Sequence, residues 1–143
     1  MTEPAPPTAA STPVGRTANT QYFRVDPDIL IVLPDKDLKD DGASAVMNTD
    51  FQIRFAREMG RPVAVVVHLT SLLSQDSEAR RIYAERMDPA LFYAAALVAS
   101  NPISRAIASF FLGLTKPKFP TRVHDSYDTA IAWVETLRPG RAR

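Results

Sequence analysis

The change from strand to helix is clearest in residues 94–108, whose sequence is AAALVASNPISRAIA. Its first residues continue an apolar run over residues 91–99, which is typical of a strand covered on both faces. Ser100-Asn101-Pro102 then supplies a capping side chain followed by proline at the first helical position. The segment therefore predicts a buried strand that leads directly into a helix.

The same alternation of apolar runs and helical patterns extends in both directions from this segment. The predicted strands are residues 22–25, 29–33, 63–69, 91–99 and 121–124. The predicted helices are residues 42–59, 76–87, 102–114 and 126–137. The order β-β-α-β-α-β-α-β-α predicts an α/β fold with a mixed, mostly parallel sheet, an N-terminal antiparallel hairpin and helices packed on the sheet.

Apolar spacing also predicts which faces of the first and last helices are buried. Met47, Phe51, Phe55 and Met59 recur every four residues, which is the spacing of one helical face. In the last helix, Trp133 is expected to pack against the sheet. Gly60 is expected to end the first helix as its C-cap.

The composition divides the chain into one domain and two tails. Residues 1–20 are rich in Pro, Thr, Ala and Ser and contain no aromatic residue, so we expect a disordered leader. Residues 21–138 form the predicted domain, and residues 139–143 a short C-terminal tail.

Charge and cysteine content exclude several classes of function. The net charge is +1 and the acidic and basic residues alternate, which argues against a nucleic-acid partner or a membrane-bound surface. The absence of cysteine excludes disulfides and thiolate chemistry. We find no secretory signal pattern and no apolar run long enough for a membrane span, so we expect a cytoplasmic protein.

Three segments of the chain carry a family resemblance. They are residues 94–111, 116–123 and 130–134, with the sequences AAALVASNPISRAIASFF, KPKFPTRV and AIAWV. Together they resemble the stand-alone bacterial STAS-like proteins, which are grouped with the anti-sigma-factor antagonists and described as relatives of the CRAL-TRIO lipid-binding domains. The resemblance spans about residues 21–138 and implies a STAS-like fold.

A second part of the resemblance concerns Ser77. In anti-sigma-factor antagonists, a strand leads through an Asp-Ser-Ser-Gly motif into a helix, and the first Ser is phosphorylated. Asp76-Ser77 match the first two motif positions, whereas Glu-Ala replaces Ser-Gly. The resemblance thus implies Ser77 as the phosphorylation site, with Asp76, Arg80 and Arg81 in a partner-binding surface. The alternative is that these are ordinary capping and solvated residues.

The helix over residues 102–114 is apolar on more than one side. The predicted core stripe contains Ile103, Ala106, Ile107, Phe110 and Leu114. A second strip is then left for a homodimer or another protein partner, and it contains Ala108, Phe111 and Leu112. In the alternative, the loop 116–120 covers Phe111 within one chain.

Basic side chains flank this predicted interface. We expect them to form a rim that binds an acidic or phosphorylated partner: Arg105, Lys116, Lys118 and Arg122. The alternative is a solubilising surface, because scattered Lys and Arg are common on proteins.

No catalytic constellation can be assembled from the sequence. His68 and His124 are expected at the carboxyl ends of two strands, where open α/β sheets bind ligands, but no metal-binding spacing accompanies them. The chain has neither a nucleophile motif nor a glycine-rich phosphate loop. We therefore expect no enzyme activity, no metal and no cofactor.

These observations leave two functions open. The first is a non-enzymatic protein-interaction and signalling module of STAS type, regulated through Ser77. The second is a carrier or sensor of a small apolar ligand or lipid, although the bulky core strands predict no evident cavity. An apolar pocket would favour the carrier, and a flat exposed patch containing Phe111 would favour the interaction module.

Overall fold

The computed structural model describes residues 7–140 and contains a six-stranded sheet in the order β1-β2-β3-β5-β7-β8. Its strands are β1 (Ser11–Arg16), β2 (Thr20–Val25), β3 (Ile29–Pro34), β5 (Val63–His68), β7 (Phe92–Val98) and β8 (Thr121–His124). Two further strands, β4 (Leu38–Asp40) and β6 (Leu72–Gln75), form a separate two-stranded sheet. The helices are α1 (Gly42–Met59), α2 (Ser77–Arg86), α3 (Pro102–Leu114) and α4 (Tyr127–Thr136).

The strand directions confirm the predicted fold class. Strands β1, β2 and β3 pair antiparallel, while β3, β5, β7 and β8 pair parallel. Helices α1, α2 and α3 lie in the connections between successive parallel strands, as is typical of parallel sheets. No helix in the described part of the chain is long and apolar enough to cross a membrane.

The sheet has an apolar cluster on each face. On one face, Ile31, Val66 and Ala96 pack beneath Ala130 and Val134 of α4. On the other face, Leu30, Val65 and Phe92 pack with α1 and with Met87, which follows α2. Neighbouring residues of β3 and β5 therefore serve opposite faces, as the period of a β-strand requires. In β7, an irregular register with β5 places Phe92 on the face opposite to that of Ala96.

Trp133 is less buried than the sequence predicts. It is half-buried at the margin of the α4 cluster, where its ring centroid lies 5.4 Å from that of His124. The fully buried positions of α4 are Ala130 and Val134, because small side chains let this short helix approach the sheet closely.

The prediction of a disordered leader over residues 1–20 is wrong for part of its length. Strand β1 lies inside that region and pairs with β2 from Ser11 to Arg16. An edge strand is held by hydrogen bonds along one side, so it needs little apolar bulk, and Pro13 is tolerated there. Gly15 has a φ of 151° and lies so close to Phe51 that an added Cβ would stand 3.1 Å from its ring. Residues 1–6 lie outside the described part, as do 141–143 of the predicted C-terminal tail.

The small sheet is absent from the sequence prediction. Residues 35–41 and 70–75 lie between the predicted strands and helices, yet they contain β4 and β6. These strands pair parallel, with Leu38 opposite Leu72 and Asp40 opposite Gln75. A 3₁₀ turn over Leu69–Ser71 joins β5 to β6.

The two faces of α3 are the reverse of those predicted. Ile103, Phe110 and Leu114 of the expected core stripe are 50%, 58% and 66% exposed, and Ala106 is exposed as well. Ala108 of the expected partner strip is buried, while Ile107 is buried as predicted. The reason is that α3 packs on the 3₁₀ turn and β6, not flat on the sheet.

Candidate functional site

A cavity lies over the face of the sheet that α1 and α2 cover only in part. Its floor is formed by aliphatic side chains of the central strands, and its walls come from β4, β6, α2, α3 and the loop before β8. The residues of the floor are Val32, Val65, Val67, Ala95 and Leu97. Facing them are Leu38, Leu69, Leu72, Ala84, Met87, Phe111, Pro117 and Phe119. The cavity is therefore apolar along most of its length.

The cavity is narrow. Its volume is about 90 Å³. A cavity needs roughly 10–15 Å³ of such volume to hold one water molecule. The space thus suits a slender apolar group better than a bulky ring system.

One end of the cavity is polar, and the small sheet creates it. Asp40 ends β4 and Gln75 ends β6, and these two residues are opposite each other in the parallel register. The amide nitrogen Nε2 of Gln75 donates to Oδ2 of Asp40 at 3.1 Å. The hydroxyl of Tyr83 in α2 donates to the same oxygen at 2.9 Å. All three side chains line the cavity.

Two oxygens at this end accept no hydrogen bond. They are Oδ1 of Asp40 and Oε1 of Gln75, and both are buried without a partner among the described residues. Asp40 itself is only 4% exposed. Buried polar groups are normally paired, so two unpaired acceptors beside one cavity need an explanation.

Burial also shifts the proton affinities at this end. The pKa of Asp40 is raised, chiefly because burial penalises its charge, and the neighbouring charge of Asp41 adds to the effect. Side-chain hydrogen bonds with Ser44, Gln75 and Tyr83 oppose that shift in the pKa of Asp40. The pKa of Tyr83 is also raised by burial and then by the charge of Asp40, so this phenol stays a hydrogen-bond donor.

The other polar side chains near the cavity are already engaged. Oδ1 of Asn48 accepts from the Tyr22 hydroxyl at 2.8 Å, and its amide nitrogen donates to Oδ1 of Asn19 at 2.9 Å. The amide nitrogen of Gln52 donates to the Tyr22 hydroxyl at 3.3 Å. This network ties α1 to β2 and to the turn before it.

The polar face of α1 corrects the sequence prediction for that helix. Met47, Phe51, Phe55 and Met59 are half-buried at its flanks, not at its centre. The buried face instead consists of small and polar residues: Gly42, Ser44, Ala45, Asn48, Thr49, Gln52 and Ala56. The helical spacing of Ser44, Asn48 and Gln52 is typical of a solvent-facing side, and only their hydrogen bonds with Asn19 and Tyr22 explain why these residues are buried.

Ser77 lies at the first position of α2 and is exposed. Asp76 is the N-cap, and its carboxylate accepts from the backbone nitrogen of Ala79 at 2.8 Å. The Arg80 guanidinium donates to the carbonyl of Gln75 at 3.1 Å, and Arg81 pairs with Glu85 at 2.9 Å. Phosphorylation of Ser77 and partner binding by these residues stay predictions.

Two members of the predicted partner strip, Ala108 and Phe111, face inward. Phe111 is half-buried, packs in the cluster with Ile107 and Ala108, and lines the cavity. Leu112 is partly exposed. The expected patch containing Phe111 is therefore replaced by one containing Phe110.

The predicted basic rim makes contacts with several different elements. Arg105 pairs with Asp125 at 3.1 Å, while the Lys118 ammonium donates to the backbone carbonyl of Glu85 at 3.5 Å. Lys116 and Arg122 are exposed. Of these residues, Lys118 lines the cavity.

His68 and His124 end their strands as predicted, and both register with Val98 of β7. They lie on the α4 side of the sheet, where His68 stacks on Tyr127 with ring centroids 5.4 Å apart. Burial lowers the pKa of both imidazoles, so each is neutral near pH 7. The described residues contain no group of three or more His, Cys, Asp or Glu side chains placed to hold a metal ion.

Comparison with known proteins supports the fold. The chain is similar to the crystal structure of an uncharacterized protein of the DUF3478 family, with a SpoIIAA-like fold, from Shewanella loihica PV-4. The two share 12% sequence identity with a TM-score of 0.50, over 87% of this chain and 91% of that chain. This likeness concerns the fold alone, and it confirms the predicted STAS-like fold.

The family is shown by a separate match. Residues 23–138 match the family described as Domain of unknown function (DUF7793), and the chain belongs to that family. No curated protein matches the chain significantly.

Proposed function

We propose that this protein is a non-enzymatic binding module that holds a small, mostly apolar molecule between its sheet and helices α2 and α3. The observation that carries the proposal is a narrow apolar cavity with a polar group at one end. Such a combination is typical of ligand sites, because the walls supply affinity and the few polar groups fix orientation. This reverses the order of the two functions expected from sequence.

The cavity also corrects the expectation that the core strands leave no space. Their bulky residues form the floor but do not fill the volume above it, because α3 packs on the 3₁₀ turn instead of the sheet. Ala95 in the floor and Ala84 in the wall keep that volume open.

Filling the cavity from its wall tests the proposal. Ala84→Phe places a ring in the cavity, and Ala132→Phe makes the same change on the exposed side of α4. We expect short apolar ligands, titrated by calorimetry, to bind the wild type and Ala132→Phe equally and to lose about tenfold or more affinity for Ala84→Phe. That loss corresponds to about 1.4 kcal/mol. Equal binding by both variants would place the ligand elsewhere.

A second candidate function is self-association through α3. Ile103, Phe110 and Leu114 form an exposed apolar strip that carries no charged side chain. We commit to a second copy of this chain as the occupant, because an uncharged strip matches itself across a two-fold axis and offers nothing to a charged partner. Burying one such side chain contributes roughly 1.5–3 kcal/mol.

Light scattering separates this candidate from the first. We expect a dimer for the wild type and a folded monomer for Phe110→Asp, since Phe110 is already 58% exposed and its loss leaves the core intact. A monomeric wild type at high concentration would remove the second candidate. It would leave the cavity proposal unaffected.

A further inference from the structure

The unpaired acceptors at the polar end of the cavity define the chemistry of the ligand, an inference that rests on the proposed function. Oδ1 of Asp40 and Oε1 of Gln75 belong to side chains that hydrogen-bond each other, so one head group can reach both. The donors of Gln75 and Tyr83 are both directed at Oδ2 of Asp40, and the Ser44 hydroxyl, which also faces this carboxylate, makes no hydrogen bond of normal length to Oδ1.

We infer that the ligand carries a primary amine at this end of a slender apolar body. An ammonium group has three donors and no acceptor. It can therefore donate a hydrogen bond to each of the two oxygens, and it brings no acceptor of its own that would need a donor. A hydroxyl group has one donor, which satisfies one of the two oxygens. A carboxylate or phosphate has no donor when ionised and would leave both oxygens unpaired.

Charge leads to the same class of ligand. Asp40 has no salt bridge with any Lys, Arg or His in residues 7–140, although the carboxylate is nine-tenths buried. The nearby Arg80 guanidinium is directed at the Gln75 carbonyl instead. The next residue is Asp41, whose charge adds to the negative potential. A buried carboxylate without a cation is costly, and an ammonium group supplies the missing charge.

The shape of the cavity limits the rest of the ligand. The floor and walls are aliphatic or aromatic, and the open space accommodates a narrow chain. Lys118 lines the cavity as well, and its ammonium repels a second cationic end. The predicted class is therefore a monoamine with an unbranched or lightly branched hydrocarbon chain.

The test uses three probes that differ only in the head group. They are n-octylamine, n-octanol and octanoate, each titrated by calorimetry at pH 7 and below its micelle concentration. With the full-length wild type, we expect the amine to bind about tenfold or more tightly than the alcohol, with octanoate weakest.

Variants of the acceptors connect this preference to the site. Asp40→Asn should weaken octylamine binding about tenfold or more and leave octanol nearly unchanged. The matched control is Asp37→Asn, which removes one exposed carboxylate three residues earlier and should leave all three affinities unchanged. Gln75→Met removes the second acceptor and serves if Asp40→Asn unfolds, which its thermal melt reports.

Each outcome supports or overturns the inference. If octanol binds as tightly as the amine and Asp40→Asn has no effect, the head-group inference is wrong. The cavity proposal still holds in that case, provided that Ala84→Phe blocks octanol. If octanoate binds most tightly, the head group lies at Lys118 and the assigned orientation is wrong. If none of the probes binds, both proposals fail.

Discussion

The domain buries two aspartates, Asp28 and Asp40, whose partners differ: Asp28 pairs with arginines, and Asp40 accepts from neutral side chains. Asp28 is fully buried and pairs with Arg138 at 3.1 Å and with Arg61 at 3.2 Å. The Tyr93 hydroxyl donates to it at 3.1 Å. Asp40 is 4% exposed and faces only neutral donors, which come from Gln75, Tyr83 and Ser44.

The positions of the two aspartates explain the difference. Asp28 precedes β3, at the end of the sheet where the parallel strands begin, and its arginines come from residues beside β5 and α4. Asp40 lies beyond the carboxyl end of β3, beside the cavity. The Asp28 carboxylate links distant parts of the fold through its ion pairs. The Asp40 carboxylate lies beside an open volume, at the edge where α/β sheets bind ligands.

The largest effect is expected at Asp28. Asp28→Ala leaves Arg138 without its buried partner, and we expect a loss of about 3–5 kcal/mol in the free energy of unfolding. Urea denaturation measures this loss. The control is Asp26→Ala, an exposed partner of Arg24 whose removal should cost under about 1 kcal/mol. Similar losses for both variants would contradict a special role for Asp28.

The two arginines of Asp28 should contribute unequally. Arg138 is 19% exposed and Arg61 is 44% exposed, so water screens the second pair more strongly. Burial alone would lower the pKa of Arg138, but its hydrogen bonds and ion pair with Asp28 outweigh that effect and raise it. We expect Arg138→Ala to cost about 1.5–3 kcal/mol and Arg61→Ala under about 1 kcal/mol by the same urea measurement. The reverse order would contradict the screening argument.

The smallest effect, with the opposite sign, is expected at Asp40. Its pKa is raised in the folded state, so the folded protein binds more protons than the unfolded chain and loses stability as pH rises through the range between the two pKa values. Asp40→Asn removes the charge and should match the wild type near pH 4 and exceed its stability at pH 8.

The other titratable groups near Asp40 do not change the predicted difference in stability between pH 4 and pH 8. Tyr22 and Tyr83 have raised pKa values and stay neutral at pH 8, and Asp41 is unchanged in the variant. Thermal melts from pH 4 to pH 8, with Asp37→Asn as the control, measure the difference. A variant that is less stable than the wild type at pH 8 would show that the buried charge is compensated after all.

Much of the fold follows from local signals in the sequence. The capping box at Asn101 and Ser104 and the left-handed C-cap at Gly60 are both present, and the strand–helix alternation after the hairpin holds. These signals act within a few residues, so they can be recognised without knowledge of the tertiary contacts.

The rest depends on contacts between distant parts of the chain. In β4, a three-residue strand, Leu38 is the apolar residue, and its partner β6 lies more than thirty residues away, so neither strand has a clear local pattern. Helix α3 is apolar on several sides, and only its packing on the 3₁₀ turn decides which side is buried. The burial of Asp40 beside a cavity could not be predicted for the same reason, because Asp40 lies in a segment that resembles a solvated acidic loop.

The small parallel sheet has a mechanical consequence for the domain. Asp41 and Asp76, the residues directly after its paired ends, are the N-caps of α1 and α2, and the backbone nitrogen of Asp76 donates to the carbonyl of Asp40 at 3.1 Å. The two helices are therefore attached to the same small sheet and also pack on each other, so they act as one unit. The cavity wall that does not belong to this unit is the loop after α3, because α3 itself packs on β6 of the small sheet.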